Sequence, residues 1–133
     1  MRVPAQDSPY WLPKHTYIST VHFCYGYQEY KRKYAELCQT YKGINTDGMP
    51  HGNGISDPVA QAVEQRAKLS KKIEIIENTA DEVGGDLASY LKRGVTDEKA
   101  TYNYLHEILR MPCGRETYYL LRRKFYKEIS EKI

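Results

Sequence analysis

Cysteine is scarce in this chain of 133 residues: Cys24, Cys38 and Cys113 are an odd number, with no Cys-x-x-Cys spacing. That argues against a disulfide framework and a zinc finger, and for reduced thiols in a cytosol. Tryptophan occurs once, as Trp11, and phenylalanine twice. No apolar run approaches the roughly 20 residues that a membrane span needs. The opening stretch, MRVPAQDSPYWLPKH, holds no apolar signal core. A Gly-rich loop ending in Gly-Lys-Ser/Thr, the phosphate cradle of nucleotide-hydrolysing enzymes, is missing. No metal-ligand set has workable spacing: His22 sits near Cys24, Cys38 near Tyr41, and His51 lies alone between Pro50 and Gly52. The carboxylates Asp81, Glu82, Asp97 and Glu98 read as helix-end charges. These absences predict a cytoplasmic protein that is no enzyme, carries no cofactor or metal and spans no membrane.

Tyrosine and charge are what the chain has in quantity. Tyrosine supplies 13 of the 16 aromatic residues, and 28% of the residues are charged. Tyrosine packs its ring and keeps a wet hydroxyl, which suits half-buried surfaces and interfaces. The pI of about 8.7 and the net charge of +3 permit a nucleic-acid partner without demanding one.

The patterning is helical throughout, with no strand pair and no internal repeat. Residues 1–14, with Pro4, Pro9 and Pro13, read as an extended arm bearing an apolar latch of Tyr10, Trp11 and Leu12. From residue 15 to 41, Phe23, Tyr27, Tyr30, Tyr34, Leu37 and Tyr41 recur at spacings of 4, 3, 4, 3 and 4, a heptad-like seam. Gly26 inside that run costs up to about 1 kcal/mol relative to Ala and suggests a close approach. Residues 43–57 form a Gly-rich linker, ending in the helix start Ser56-Asp57-Pro58. A second seam follows: Val59, Ala62, Arg66, Leu69, Ile73, Ile76, Ala80 and Val83 are spaced 3, 4, 3, 4, 3, 4 and 3. It predicts a helix over 58–83 about 40 Å long, stopped by Gly84-Gly85. Asp86 then caps a short helix that Gly94 ends. Another runs from Thr96 or Asp97 to about residue 110, and a last one from residue 114 or 115 to about 131. The predicted fold is all-α: a long antiparallel helical hairpin over 15–83, then a small helix-turn-helix unit over 84–133.

The last 24 residues carry the charge. They hold seven Lys or Arg against three acids, a net +4 where the whole chain has +3. A short helix, the turn Met111-Pro112-Cys113-Gly114 and then a basic helix is the layout of a DNA reader. On that helix Tyr118, Leu121, Phe125 and Ile129 form a core stripe. Arg115, Glu116, Thr117 and Tyr119 are placed for base edges. Arg122, Arg123, Lys124 and Lys127 are placed for phosphates, with Tyr126 on the same polar side.

The stretch LHEILRMPCGRETYY over residues 105–119, followed by Arg122-Arg123, resembles the second half of the region-four helix-turn-helix of bacterial sigma factors. Small phage and prophage transcription regulators of the ArpU and RinA type use the same pattern. They often carry a linker similar to DGMPHGNGISDP, residues 47–58. The resemblance implies a phage or prophage transcription regulator in a bacterial cytoplasm. It would bind double-stranded DNA, with host RNA polymerase as a further partner. The Tyr-rich seam from Phe23 to Tyr41, more apolar surface than one helix covers, predicts a homo-oligomer. The alternative is a helical adaptor or structural phage protein whose basic helix binds a protein.

Overall fold

The computed structural model describes residues 4–43 and 58–133, and among them every regular element is a helix. The expected linker, apart from Gly43, and its motif over residues 47–57 lie outside the described residues. So do His51, the cap Ser56-Asp57, and the first three residues of the arm. Residues 4–13 are not a straight arm. They make two hydrogen-bonded turns, Ser8 N to Ala5 O at 2.9 Å and Trp11 N to Ser8 O at 3.1 Å, which seat Leu12 in the core at 4% exposure.

The long first helix predicted over 15–41 is two helices, α1 (Lys14–Tyr25) and α2 (Tyr27–Gly43), parted at Gly26. The Tyr30 hydroxyl folds back and donates to Phe23 O at 2.9 Å. Its ring thereby takes the space of any side chain on residue 26, where an added Cβ would stand 2.6 Å from the ring. The division serves packing: α1 lies on α4 (Ala88–Thr96) and α5 (Arg115–Ser130), whereas α2 lies along α3 (Pro58–Gly84). Along α2, the Tyr27 hydroxyl donates to Glu77 Oε1 at 2.8 Å. Lys72 lies 5.1 Å from the Tyr30 ring centre and Arg66 6.0 Å from that of Tyr34. Partner numbers fall as α2 advances, so α2 and α3 run in opposite directions.

α3 ends where its glycines were expected to stop it. Gly85 takes φ +55, a left-handed conformation cheap only for glycine, and a single 3₁₀ turn (Gly85–Leu87) leads into α4. Asp86 supplies no side-chain cap. Gly94 does not end α4 but lies buried inside it, because the Tyr118 hydroxyl of α5 rests on it where a Cβ would stand. Val95 and Leu91 beside it are buried, and Thr96 satisfies its hydroxyl on Lys92 O at 2.6 Å.

The helix predicted from residue 96 or 97 to about 110 is much shorter. The Asp97 carboxylate accepts from Lys99 N at 3.0 Å, holding a turn instead. The Thr101 hydroxyl then caps Tyr104 N at 3.2 Å. Only residues 102–108 are helical, closing in one π turn (Tyr104–Ile108). Arg110 follows at φ +58, and Met111 N returns to Leu105 O at 2.9 Å. This segment has its own small core of Ala100, Tyr102, Leu105, Met111 and Tyr118. The larger core gathers α1, α3, α4 and α5 around Val21, Cys24, Ile76, Val95, Phe125 and Ile129. At the far end Lys132 clamps α5 to α3, donating to Thr79 Oγ1 and Glu82 Oε2 at 3.0 Å each.

Candidate functional site

Gly114, extended at φ −80 and ψ 170, delivers the chain into α5 without a side-chain cap. The stripe expected to face inward does so: Tyr118, Phe125 and Ile129 are buried, and Leu121 packs against the core. Tyr126, read as part of the polar side, is buried with them. Its hydroxyl explains why. Arg122 Nε donates to it at 3.2 Å, and Arg122 Nη2 reaches the Tyr25 hydroxyl of α1 at 3.4 Å. Tyr17 of α1 meets the Tyr126 ring edge-on at 5.5 Å. The side of α5 toward α1 is therefore a layer of tyrosines around one arginine. Tyr17 and Tyr25 belong to this site although nothing in the basic helix pointed to them. Their only signal was that tyrosine, unlike phenylalanine, brings a hydroxyl to an apolar face.

Arg122 is half-buried and has no carboxylate partner among the described residues. Burial is the largest influence and disfavours its charge. The charges that Tyr126 and Tyr118 acquire on ionising, with the hydrogen bond to Tyr126, act the other way, and the balance raises its pKa. Burial in turn pushes the phenols of Tyr126, Tyr118 and Tyr17 up, against the pull of Arg122. At neutral pH these phenols are uncharged. They solvate the guanidinium without neutralising it.

The other expected contact residues fall into two sets. Arg115 is exposed, 4.7 Å over the Tyr102 ring, and donates to Asn103 Oδ1 at 3.1 Å. Tyr119 is half-buried against Tyr118 and Tyr102, with ring centres 5.3 and 6.4 Å away. These two residues, with Arg122 and Arg123, line a groove of about 1210 Å³ between α5, α1 and residues 4–8. Thr117, Lys124 and Lys127 do not line it. Thr117 and Lys124 are exposed. Lys127 lies 4.0 Å from Glu131 Oε1, an exposed pair of small energetic worth. Arg123 stands between the sets, lining the groove and adjoining Lys124.

Cys24 is buried, and burial pushes its thiol well above the usual range, which makes it a poor nucleophile. The His22 beside it in sequence is exposed and turns to Tyr25 instead. Among the described residues no three His, Cys, Asp or Glu side chains gather to hold a metal. Nor is any helix there long and apolar enough to cross a membrane. Comparison with family models, curated proteins and solved structures finds no match to this chain.

Proposed function

We propose that the protein binds double-stranded DNA through α5, as a phage or prophage transcription regulator. The observation that carries the reading is the outer side of α5. Arg123, Lys124 and Lys127 are spaced by one and three residues and so share one side of the helix, with Thr117 a turn or two before them. Only Lys127 of the three has an ion-pair partner among the described residues, the exposed Glu131. Lys124 is exposed, Arg123 and Lys127 are half-buried, and a row of cations along one helix side suits phosphates. In this reading residues 102–108, the turn at Arg110 and α5 stand for the helix-turn-helix. The α2–α3 pair is the hairpin and also the assembly surface of a homo-oligomer, and host RNA polymerase is a further partner. The first element of such a unit is only the short helical stretch of residues 102–108 here, so DNA contact would rest on α5 itself.

The test is fluorescence anisotropy with a random DNA duplex over a salt series. Replacing Arg123, Lys124 and Lys127 together by Ala weakens binding and flattens the salt dependence by up to about three units of slope. Unchanged affinity and slope in a folded triple variant would sink the reading. One observation favours a second reading, a helical adaptor docking on a protein: Leu120 is 46% exposed beside the cations and Ile108 is 65% exposed at the preceding turn. Duplex binding that is absent at low salt in the unaltered protein is the result that turns the choice to that reading.

A further inference from the structure

The groove beside α1 asks for something the outer face does not. Arg122 lines it with a guanidinium that is half-buried, held by phenols and unmatched by any carboxylate among the described residues. Holding a cation away from water without a counter-charge is costly. The tyrosine layer fixes its fork in place, and a fixed fork suits bidentate capture of a phosphate. Arg123 and Arg115 line the same groove, Arg115 with its guanidinium over the Tyr102 ring and on Asn103 Oδ1. Two acids, Glu98 and Glu116, also line it, but both are exposed and neither forms an ion pair with these arginines. Its volume of about 1210 Å³ is far more than a bare phosphate fills. Much of the remaining wall is aromatic or apolar, with Tyr17, Tyr25 and Tyr119 offering rings and Pro4 and Leu120 apolar surface.

We infer that this groove is a binding site for a small ligand that joins a phosphate monoester to a planar aromatic group, the chemistry of a nucleoside monophosphate. The phosphate sits on Arg122 and Arg123, and the ring lies against the tyrosine wall. This goes beyond the DNA reading and does not rest on it: Arg123 is common to both, but the groove also needs Arg122, which takes no part in the outer row of α5.

Titration calorimetry on the full chain tests it, with adenosine monophosphate, adenosine and inorganic phosphate as probes. The monophosphate binds saturably at one site per chain, adenosine binds at least about tenfold more weakly, and phosphate competes with the monophosphate. Arg122→Met weakens the monophosphate by at least about tenfold, whereas Lys71→Ala, on the exposed face of α3, leaves it unchanged. If Arg122→Met fails to fold, Arg122→Lys keeps the charge and stem but loses the fork. Tyr25→Phe removes a hydroxyl that positions it. Both variants then bind the monophosphate more weakly than the unaltered protein. The inference is overturned if adenosine binds as tightly as the monophosphate, if the monophosphate gives no saturable heat at about 1 mM, or if the folded Arg122 variants bind unchanged. Duplex affinity measured on the same Arg122 variants separates the two ideas. A loss of monophosphate binding with duplex binding intact supports this site alone. Loss of duplex binding in a Lys124→Ala/Lys127→Ala variant, which spares the groove residue Arg123, with monophosphate binding intact bears only on the DNA reading.

Discussion

The two halves of α3 carry the same spacing of apolar residues and live in different surroundings. In the second half Ile76, Thr79, Ala80 and Val83 are buried. From residue 58 to 75 no residue is, although Val59, Ala62, Leu69 and Ile73 continue the same seam. The second half is enclosed by α4, α5 and the start of α2, and it shares the core with α1. The first half pairs with α2, with Tyr34 and Leu37 half-buried along it and Val63 left 51% exposed; only its last turn, with Ile73 and Ile75, packs against the core. A heptad-like pattern therefore declares which face is apolar and says nothing of how many neighbours cover it. The number of neighbours decides the energy.

Paired truncations measure that difference, and they carry the largest expected effect. Ile76→Ala removes a fully buried side chain and leaves a cavity, so it costs about 2–5 kcal/mol. Leu69→Ala removes the same bulk from a half-buried position and costs about 1 kcal/mol. Urea midpoints of the two variants at matched protein concentration provide the check. Equal losses would break the comparison and mean that something covers the first half of α3 in solution. A second copy of the chain is the occupant that the proposed oligomer supplies. In that case the Leu69→Ala loss grows with protein concentration, as coupling between folding and association requires.

The next effect lies where α4 meets α5, inside the well-covered region. Gly94 has no room for a methyl group because the buried Tyr118 hydroxyl occupies that place. That hydroxyl makes no hydrogen bond of good geometry and cannot retreat to water without unpacking α5. Gly94→Ala raises helix propensity by about 1 kcal/mol in isolation, yet overpacking costs about 1–3 kcal/mol. Net destabilisation is therefore expected by thermal or urea unfolding. A stabilised Gly94→Ala variant would show that the contact is loose. The pair Gly94→Ala with Tyr118→Phe sharpens the point. If the hydroxyl is the obstacle, the double variant recovers part of the loss.

What was legible in the sequence follows the same division between local and distant causes. The bounds of α3 and α5 were readable because proline and glycine punctuate them at Pro58, Gly84-Gly85 and Gly114. The stripe of α5 was readable from its period. The break at Gly26 was not, because it exists so that α1 can turn onto α5 while α2 follows α3, a choice made between elements far apart in the chain. The shortening of the helix before Arg110 has local agents, Asp97 and Thr101, but their side chains serve a helix start equally well. Gly94 read as a stop because its reason, Tyr118, lies 24 residues away. For the candidate site, charge drew attention to α5 and not to which of its side chains turn inward. Arg122 looked like a solvent-facing cation, and only its partners Tyr126 and Tyr25, the latter 97 residues distant, turn it inward.

The smallest perturbation is alkaline pH, and it probes the tyrosines of the enclosed region without changing a residue. Burial, then the hydrogen bond to Glu77 and its charge, push the Tyr27 phenol up to about 12. Burial likewise raises Tyr17, Tyr118 and Tyr126, all in contact with the covered side of the fold. The sign follows from which form folding favours. The native state holds these phenols neutral, whereas the unfolded chain ionises them near the usual value of about 10. Their contribution to stability is complete below about pH 10 and is lost as pH climbs through the raised native values, reaching about 12 for Tyr27. Absorbance of phenolate at rising pH should thus show a first group of tyrosines ionising near the ordinary value. A second group should follow only as helical circular dichroism is lost. A single transition near pH 10, with the helices still intact, would mean that solvent reaches these rings and that the enclosed end is no tighter than the open one.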